Sequence, residues 1–338
     1  MPTTVHAYAA QKPSAPFKRF EYDMPEIGPE EVDIRVKYCG VCHSDLSMWH
    51  DHWEMSEFPF IPGHEIVGEV VAVGDLAKGV SVGQMVGLGW FSSSCMQCQP
   101  CMSGHHNLCH QTEQTIVGRY GGFADRVRAH WSWCFNLPDN LDLKKLGPLF
   151  CGGITVFNPI KMCDVKPTDR VGVIGIGGLG HLALQFLNHW GCEVTAFTHS
   201  PEKTAEAKRM GADRVLSSTD EAVLEGITNQ YDFILSTVNV PLNWDLYLQA
   251  LKPQGRFHTV GAVPEPLEIP AFSLIKGEKS VSGSPLGSPA TNREMLEFCA
   301  RHNIVPVTEH FKMSEINEAF AHLESGKARY RIVLEADF

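Results

Sequence analysis

The sequence has no excess of positive charge, no long apolar run and no basic, apolar start. Its 338 residues include 39 Asp and Glu against 28 Lys and Arg, which leaves a net charge of −11. An acidic surface repels nucleic acids and anionic membranes, so neither is expected as a partner. No apolar stretch approaches the length of a membrane span. Because the first residues also lack the features of an export signal, we expect a cytoplasmic protein.

The cysteines are too numerous and too clustered for a simple set of disulfides. The chain has eleven of them, an odd number, which is easier to reconcile with a reducing compartment. Four follow the spacing C-x-x-C-x-x-C-x₇-C, at Cys95, Cys98, Cys101 and Cys109. Four nearby thiolates match the closed tetrahedral shell of zinc, which leaves no position for a substrate. We therefore expect a structural zinc lobe at about residues 90–112, and a catalytic metal elsewhere.

The pattern of predicted secondary structure changes near the middle of the chain. This change predicts two domains and a fold of class α/β plus β. Short β-like runs separated by Gly and Pro fill the first 150 residues and predict a small, mostly antiparallel β domain. After Gly153, continuous apolar strands alternate with helical stretches, which is typical of a parallel sheet covered on both faces. The tail from Met313 fits either a last βα unit or a return to the first domain.

A glycine-rich loop predicts a dinucleotide site in the second domain. Gly175, Gly177 and Gly180 complete G-x-G-x-x-G, and this motif follows an apolar strand and opens a helix, as the site requires. The glycines allow a pyrophosphate to approach the backbone, and the helix presents free N–H groups to it. Gly178 and Leu179 belong to the same loop. The alternative is a glycine turn that serves only helix–strand packing.

The end of the next strand favours NADPH over NADH. NAD sites usually carry an Asp or Glu there to bind the ribose 2′-hydroxyl. This strand instead ends with short polar side chains and a following lysine that could hold a 2′-phosphate: Thr198, His199, Ser200 and Lys203. Two alternatives remain open at this point. Ser200 before Pro201 also suits a helix N-cap, and Glu202 could restore an NAD assignment.

Three further candidate metal ligands lie far apart in the sequence: Cys42, His64 and Cys151. Two thiolates, one imidazole and an open position form a known catalytic zinc arrangement. Each residue also has a structural interpretation, since free cysteines often fill cores and His64 could be a turn residue. Cys39 and Cys42 form a C-x-x-C pair, but no thioredoxin-like βαβ context surrounds it.

Taken in order, these motifs resemble the zinc-dependent medium-chain alcohol dehydrogenases along essentially the whole chain. The nearest match is the cinnamyl alcohol dehydrogenase-like branch, especially its bacterial NADPH-dependent aldehyde reductases. Residues 38–46, 62–68 and 171–181 carry the match. The resemblance implies a GroES-like catalytic domain over residues 1–150 and 290–338, and a doubly wound Rossmann cofactor domain over 151–289. It also implies two zinc ions per chain and a homodimer.

The resemblance assigns roles position by position. Cys42, His64 and Cys151 would bind the catalytic zinc, with Glu65 beside it as an occasional ligand or electrostatic partner. Asp45 would orient the ligand histidine, and Ser44 would pass a proton to or from the substrate oxygen. The residues matching the nicotinamide end are Thr155, Thr237, Val238, Gly261, Ser282 and Ser284.

One position departs from the family pattern. Many relatives carry a histidine five residues after the ligand cysteine, where this chain has Ser47. The proton relay could therefore end at water, or it could recruit His50 or His52, although both are expected to be exposed loop residues. The departure leaves the predicted zinc and hydride chemistry unchanged.

The expected reaction is reversible hydride transfer between NADPH and an aldehyde, giving a primary alcohol. Aromatic residues near the ligands predict an apolar channel, to which we assign Trp49, Trp90 and Phe91. No Arg or Lys neighbours the ligands in sequence, which favours a neutral, hydrophobic aliphatic or aromatic aldehyde. Two alternatives stay open: an NAD-dependent zinc polyol dehydrogenase, and a non-catalytic protein that binds zinc and nucleotide.

Overall fold

The computed structural model describes residues 3–338, which form two compact units. Residues 3–154 and 287–338 make the first unit, and Thr155–Leu286 make the second. The strands are β1 (Thr3–Ala9), β2 (Lys18–Met24), β3 (Glu31–Val41), β4 (Ile66–Val73), β5 (Met85–Leu88), β6 (Phe91–Ser93), β7 (Glu113–Gln114), β8 (Arg126–His130), β9 (Phe135–Asn136), β10 (Arg170–Ile174), β11 (Glu193–Thr198), β12 (Arg214–Ser217), β13 (Tyr231–Ser236), β14 (Leu251–Thr259), β15 (Ser280–Gly283), β16 (Thr308–Lys312) and β17 (Arg331–Glu335).

Within residues 3–338 the helices are fewer than the strands. They are α1 (His43–Trp49), α2 (Gln99–Met102), α3 (Gly152–Met162), α4 (Gly180–Trp190), α5 (Thr204–Arg209), α6 (Glu221–Glu225), α7 (Trp244–Ala250), α8 (Ala271–Ile275), α9 (Pro289–His302) and α10 (Ile316–Glu324). Within residues 3–338, none of them is both long and apolar enough to cross a bilayer.

The first unit is built on a mostly antiparallel sheet. Its strand order is β16-β17-β3-β4-β5-β9, and β8 also pairs with β3. β-Branched residues of β3 and β4, including Val32, Ile34 and Val70, are fully buried in its core. The C-terminal tail joins this sheet, because β17 pairs antiparallel with β3 at Ile332 and Val41. The tail is therefore part of the first unit and not a last βα unit of the second.

The second unit confirms the predicted parallel sheet. Its six strands run in the order β12-β11-β10-β13-β14-β15, and every neighbouring pair is parallel. The strands are apolar along their length; Val171, Val173 and Ile234, for example, are fully buried, as expected when helices cover both faces. Chain order reverses between β10 and β13, so the carboxyl ends of these two strands define the switch point where such sheets bind ligands.

Candidate active site

Three segments of the first unit converge on one buried cluster. Cys42 precedes α1, His64 and Glu65 precede β4, and Cys151 precedes α3. Their ligand atoms all lie within 4.8 Å of one another, and all four residues are buried. The structure thus brings together the three residues predicted as zinc ligands and the glutamate predicted beside them.

Glycines make this convergence possible. Gly63 has φ +100°, a backbone conformation that L side chains rarely adopt, and it turns the chain just before His64. A Cβ on Gly147 would lie 2.5 Å from the carbonyl oxygen of Glu65, so only glycine lets these segments touch. Across the same contact, the amide of Gly40 donates to the Glu65 carbonyl at 2.9 Å.

Asp45 fixes the orientation of the cluster through three contacts. Its Oδ1 accepts from the Gly63 amide at 2.8 Å and lies 3.0 Å from His64 Nδ1, and its Oδ2 accepts from the Cys42 amide at 2.9 Å. Burial opposes a charged imidazole, but the neighbouring Asp45 and Cys42 hold the pKa of His64 well above its ordinary value. One carboxylate therefore orients both ligand-bearing segments and directs His64 Nε2 into the cluster.

The donor set and its unbonded atoms fit a metal ion. His64 Nε2 and Glu65 Oε2 are buried without a hydrogen-bond partner, which is a costly arrangement for a polar atom. Cys42 Sγ lies 3.7 Å from Cys151 Sγ, and this contact lowers the pKa of Cys42 well below its ordinary value despite burial. Two thiols and an imidazole nitrogen are the ligand types that zinc prefers.

Arg331 is the functional neighbour that sequence reasoning missed. It comes from β17 and forms a buried ion pair through Nη2 with Glu65 Oε1. Burial raises the pKa of Glu65 above the usual carboxyl range, and Arg331 opposes that rise. No basic residue adjoins the ligands in sequence, but the fold brings this one to them. Since it is already paired with Glu65, it does not alter the case for an uncharged substrate.

The hydroxyl and imidazoles considered for proton transfer occupy different environments. Ser44 is partly exposed, and its Oγ lies 3.8 Å from Cys42 Sγ. Ser47 is buried on α1. Both ring nitrogens of His50 are engaged, Nδ1 with Ser14 Oγ at 2.7 Å and Nε2 with Glu324 Oε1 at 3.1 Å. His52 is exposed and stacks on His50 at 5.0 Å.

The aromatic residues divide into those that contact the cluster and those that fill core. The Trp90 ring packs edge-on against His64 at 5.0 Å, and Trp53, which is 37% exposed, packs on Trp90 at 6.2 Å. Trp49 and Phe91, the other two residues predicted for the channel, pack on different neighbours, and their place in the channel stays a prediction. Trp49 packs on Phe17 and Phe320 and donates to the Ala15 carbonyl, and Phe91 is buried against Trp133. Through its contact with Trp90, Trp53 becomes a further candidate.

The four-cysteine segment forms a second cluster. The Sγ atoms of Cys95, Cys98, Cys101 and Cys109 lie within 4.8 Å of one another. Backbone amides point at these sulfurs, from Cys98 to Cys95 and from Gln111 to Cys109, each at 3.3 Å. Amide hydrogen bonds from Gln97 and Cys98 lower the pKa of Cys95 to about 6, which favours the thiolate that binds metal.

The backbone segments of the glycine loop in the second unit lie too close together for side chains. Gly175 has φ +86°, and a Cβ on Gly180 would lie 1.9 Å from the Gly175 carbonyl oxygen. Thr237 Oγ1 donates to the Ile174 and Gly175 carbonyls at 2.9 and 2.8 Å. Two residues beyond β14, Gly261 leaves no room for a side chain, because its Cβ would lie 1.8 Å from the Val238 carbonyl oxygen. Helix α4 begins directly after the loop, as its sequence predicted.

The residues predicted to hold a 2′-phosphate surround the end of β11. Thr198 closes the strand, and its Oγ1 accepts from the Ser200 amide at 3.1 Å. Ser200 occupies the cap position of a short 3₁₀ helix but makes no side-chain cap hydrogen bond. Lys203 Nζ donates to the Ile176 carbonyl at 3.1 Å, which places its ammonium beside the glycine loop.

The fold and the two sites define a medium-chain dehydrogenase. Residues 28–139 match the model of the alcohol dehydrogenase GroES-like domain, and residues 178–301 match that of a zinc-binding dehydrogenase. The aldehyde reductase AdhA of Synechocystis sp. is 55% identical over 330 residues, which cover 98% of each chain.

Solved structures give the same result. A cinnamyl alcohol dehydrogenase from Sorghum bicolor superposes with a TM-score of 0.94 at 35% identity, over 98% of each chain. One from Helicobacter pylori, complexed with NADP(H), gives 0.92 at 30% identity over 99% of each. The chain belongs to the zinc-dependent medium-chain alcohol dehydrogenase family, as its motifs predicted. This membership supports oxidoreduction between alcohols and aldehydes as its reaction.

Proposed function

We propose that the protein transfers hydride between NADPH and an aldehyde to give a primary alcohol, reversibly and with the help of zinc. The observation that carries this proposal is the buried cluster of Cys42, His64 and Cys151, with His64 Nε2 lacking any hydrogen-bond partner. Cys42, His64 and Cys151 would hold a catalytic zinc ion, and the four-cysteine segment a structural one. When bound, the inner zinc would act as a Lewis acid toward the substrate oxygen.

The surrounding residues prepare the site for that chemistry. Asp45 holds the proton of His64 at Nδ1 and so keeps Nε2 available as a ligand. Glu65, which is held by its ion pair with Arg331, places a carboxylate with one unbonded oxygen beside the same ligands. Because Glu65 and Arg331 are both buried, the attraction between them acts through a low dielectric and is stronger than at the surface.

Ser44 would supply the proton that completes the alcohol. Its hydroxyl can exchange a proton, lies beside the ligand Cys42 and is partly open to solvent. Ser47 stands where many relatives carry a histidine, and both nitrogens of His50 are held by Ser14 and Glu324. We therefore propose that Ser44 is reprotonated from water and not from His50.

NADPH is the proposed cofactor. Thr198, His199, Ser200 and Lys203 supply donors at the end of β11, where an NAD site usually has an acid. The Helicobacter pylori relative was solved with NADP(H). Glu202, the residue that could support NAD, is exposed on the following 3₁₀ helix.

The proposed substrates are neutral aldehydes with an aliphatic or aromatic body. Trp90 packs on the ligand His64 in a T-shaped arrangement, and the partly exposed Trp53 extends this apolar wall. Two indoles offer a large apolar surface that an aldehyde chain or ring would cover.

A homodimer formed through the second unit is also proposed. Strand β15 lies at the edge of the parallel sheet, and Val240, Phe272 and Ile275 are exposed at 51%, 81% and 69%. A second copy would cover these exposed apolar side chains. Light scattering of the wild type and of Phe272→Glu tests it: a dimer that becomes a monomer supports the proposal, and a wild-type monomer refutes it.

The central experiment combines metal counting with turnover. Purified wild type should contain two zinc ions per chain and reduce aldehydes with NADPH faster than with NADH. Cys151→Ser should retain one zinc and lose activity, whereas Cys134→Ser, which changes another buried cysteine of the first unit, should retain both. Preference for NADH and polyols would favour the polyol dehydrogenase alternative. Two zinc ions without turnover would favour a binding protein.

A further inference from the structure

His258 is a fully buried histidine of β14 that the proposed reaction does not use. Its Nδ1 lies 2.9 Å from Ser282 Oγ and its Nε2 lies 3.0 Å from Ser284 Oγ. Cys163 Sγ lies 3.6 Å from the same Nδ1. One imidazole thus connects β14 to the neighbouring edge strand and to the residue just beyond that strand.

The anchored residues lie at the ligand-binding edge of the sheet. His258 pairs with Ser282 and Thr259 with Gly283, so Ser284 follows the carboxyl end of β15. The glycine loop follows the carboxyl end of the parallel strand β10. In a doubly wound sheet, the half with the glycine loop takes the adenosine end of a dinucleotide, and the half beyond the switch point takes the other end. Strands β13, β14 and β15 form that second half.

The segment after β15 depends on polar anchors. Pro285 is exposed and Ser284 and Leu286 are half-buried, so the core does not enclose this segment. Its second anchor is Asn158, whose Nδ2 donates to the carbonyls of Pro285 and Leu286 at 3.4 and 3.0 Å. The position of Ser284 therefore depends on His258 at one end and on Asn158 at the other.

The imidazole is suited to anchoring without adding charge. Burial and the nearby Arg256 lower the pKa of His258 to about 4, so the ring is neutral near pH 7. A neutral ring has one donor and one acceptor, and a serine hydroxyl can pair with either. Both bonds therefore form in either tautomer, and no positive charge is placed beside a nicotinamide ring whose own charge changes during hydride transfer.

We propose that His258 is a positioning residue that acts through Ser284 to fix the wall of the cofactor site at the nicotinamide end. The inference rests on the proposed function. It adds the contact, between His258 and Ser284, that holds the wall in place for hydride transfer.

Two substitutions of His258 separate its hydrogen bond to Ser284 from its hydrogen bond to Ser282. The amide of Gln reaches about as far as Nε2, and that of Asn about as far as Nδ1. His258→Asn should lose the Ser284 bond, raise the KM for NADPH and slow hydride transfer by about ten-fold, as expected for one lost bond in a positioned site. His258→Gln should stay within about three-fold of wild type. Steady-state kinetics and the isotope effect with 4-deuterated NADPH measure both.

Controls distinguish positioning from stability. Ser284→Ala should match His258→Asn, and the double variant should be no worse than either single one, because both remove the same interaction. Ser280→Ala is the matched control: Ser280 accepts from Arg256 Nε at 3.1 Å across the same two strands, away from the carboxyl edge. It should leave the KM for NADPH unchanged.

Two results would overturn the inference. His258→Asn could lower the melting temperature while leaving the KM and the isotope effect at wild-type values, or its effect could add fully to that of Ser284→Ala. A wild type that binds neither NADPH nor NADH would instead refute the proposed function itself, and that result requires no variant.

Discussion

Asp45 and His64 form a fully buried pair in which one carboxylate oxygen lies 3.0 Å from Nδ1 of the imidazole. The same carboxylate binds the amides of Cys42 and Gly63, so it fixes two ligand-bearing segments at once. Since partners of this kind orient metal ligands, their loss typically costs 10- to 100-fold in affinity or activity. We expect Asp45→Asn to fold but to lose zinc to a chelator about 10- to 100-fold faster and to lose activity in parallel.

The matched control for this prediction is another buried aspartate of the first unit. Asp33 is equally enclosed but contacts Arg126 and Arg128. Asp33→Asn is expected to reduce stability without changing zinc release. Equal zinc retention in wild type and Asp45→Asn would contradict the assigned role of Asp45.

The buried Glu65–Arg331 pair should show strong coupling in stability. Removing one partner of a buried ion pair leaves an uncompensated charge and typically costs about 3–5 kcal/mol. Glu65→Gln should therefore reduce the free energy of unfolding by about that amount, because the buried Arg331 cannot lose its charge. Arg331→Met should reduce it by less, because burial raises the pKa of Glu65 and lets it take up a proton. The double variant Glu65→Gln/Arg331→Met should recover much of the loss, because no charge is left unpaired. Urea unfolding of the zinc-free wild type, Glu65→Gln, Arg331→Met and the double variant measures this, and additive losses would show that the pair is not coupled.

Residues near in sequence were predicted better than residues near only in space. The glycine loop and the four-cysteine segment carry their chemistry in their spacing, so the sequence pattern alone predicted them. Cys42, His64 and Cys151 lie far apart in the sequence and were grouped through the family resemblance. Arg331 was missed because 266 positions separate it from Glu65, and a single Arg in an apolar strand gives no sign of its partner. His258 was missed for the same reason. Trp90 and Phe91 were assigned together, but consecutive residues at a strand point to opposite sides, and only Trp90 contacts His64.

Stability should depend on pH through His258. Its pKa is about 4 in the folded chain, lowered by burial and by Arg256, and about 6.5 when unfolded. Between these values the unfolded chain binds the extra proton, so stability falls as pH drops from about 6.5 to about 4 and then levels off. The loss is at most about 3 kcal/mol. Urea unfolding of wild type and His258→Gln across this range should show a shallower slope for the variant. Parallel slopes would contradict the assignment.

Trp90 should select for the bulk of the substrate. Its ring packs on His64, so removing it takes apolar surface from beside the proposed metal ligands. We expect Trp90→Ala to lower kcat/KM for benzaldehyde by about 10- to 100-fold and for acetaldehyde by much less, since a small aldehyde covers little of the ring. Trp49→Phe is the control, because Trp49 packs on Phe17 and Phe320. An equal loss for both aldehydes would show that Trp90 supports the fold and does not select substrates.

Lys203 should decide between the two nicotinamide cofactors. Its ammonium lies 3.1 Å from the Ile176 carbonyl, beside the glycine loop and next to the polar end of β11. There it can reach a 2′-phosphate, which carries negative charge and which NADH lacks. Lys203→Ala should raise the KM for NADPH by about ten-fold or more, as for a lost charged hydrogen bond, and leave the KM for NADH nearly unchanged. Lys208→Ala, an exposed lysine of α5, should change neither KM. If both KM values rose together in Lys203→Ala, the lysine would support only the glycine loop, and the preference for NADPH would need another source.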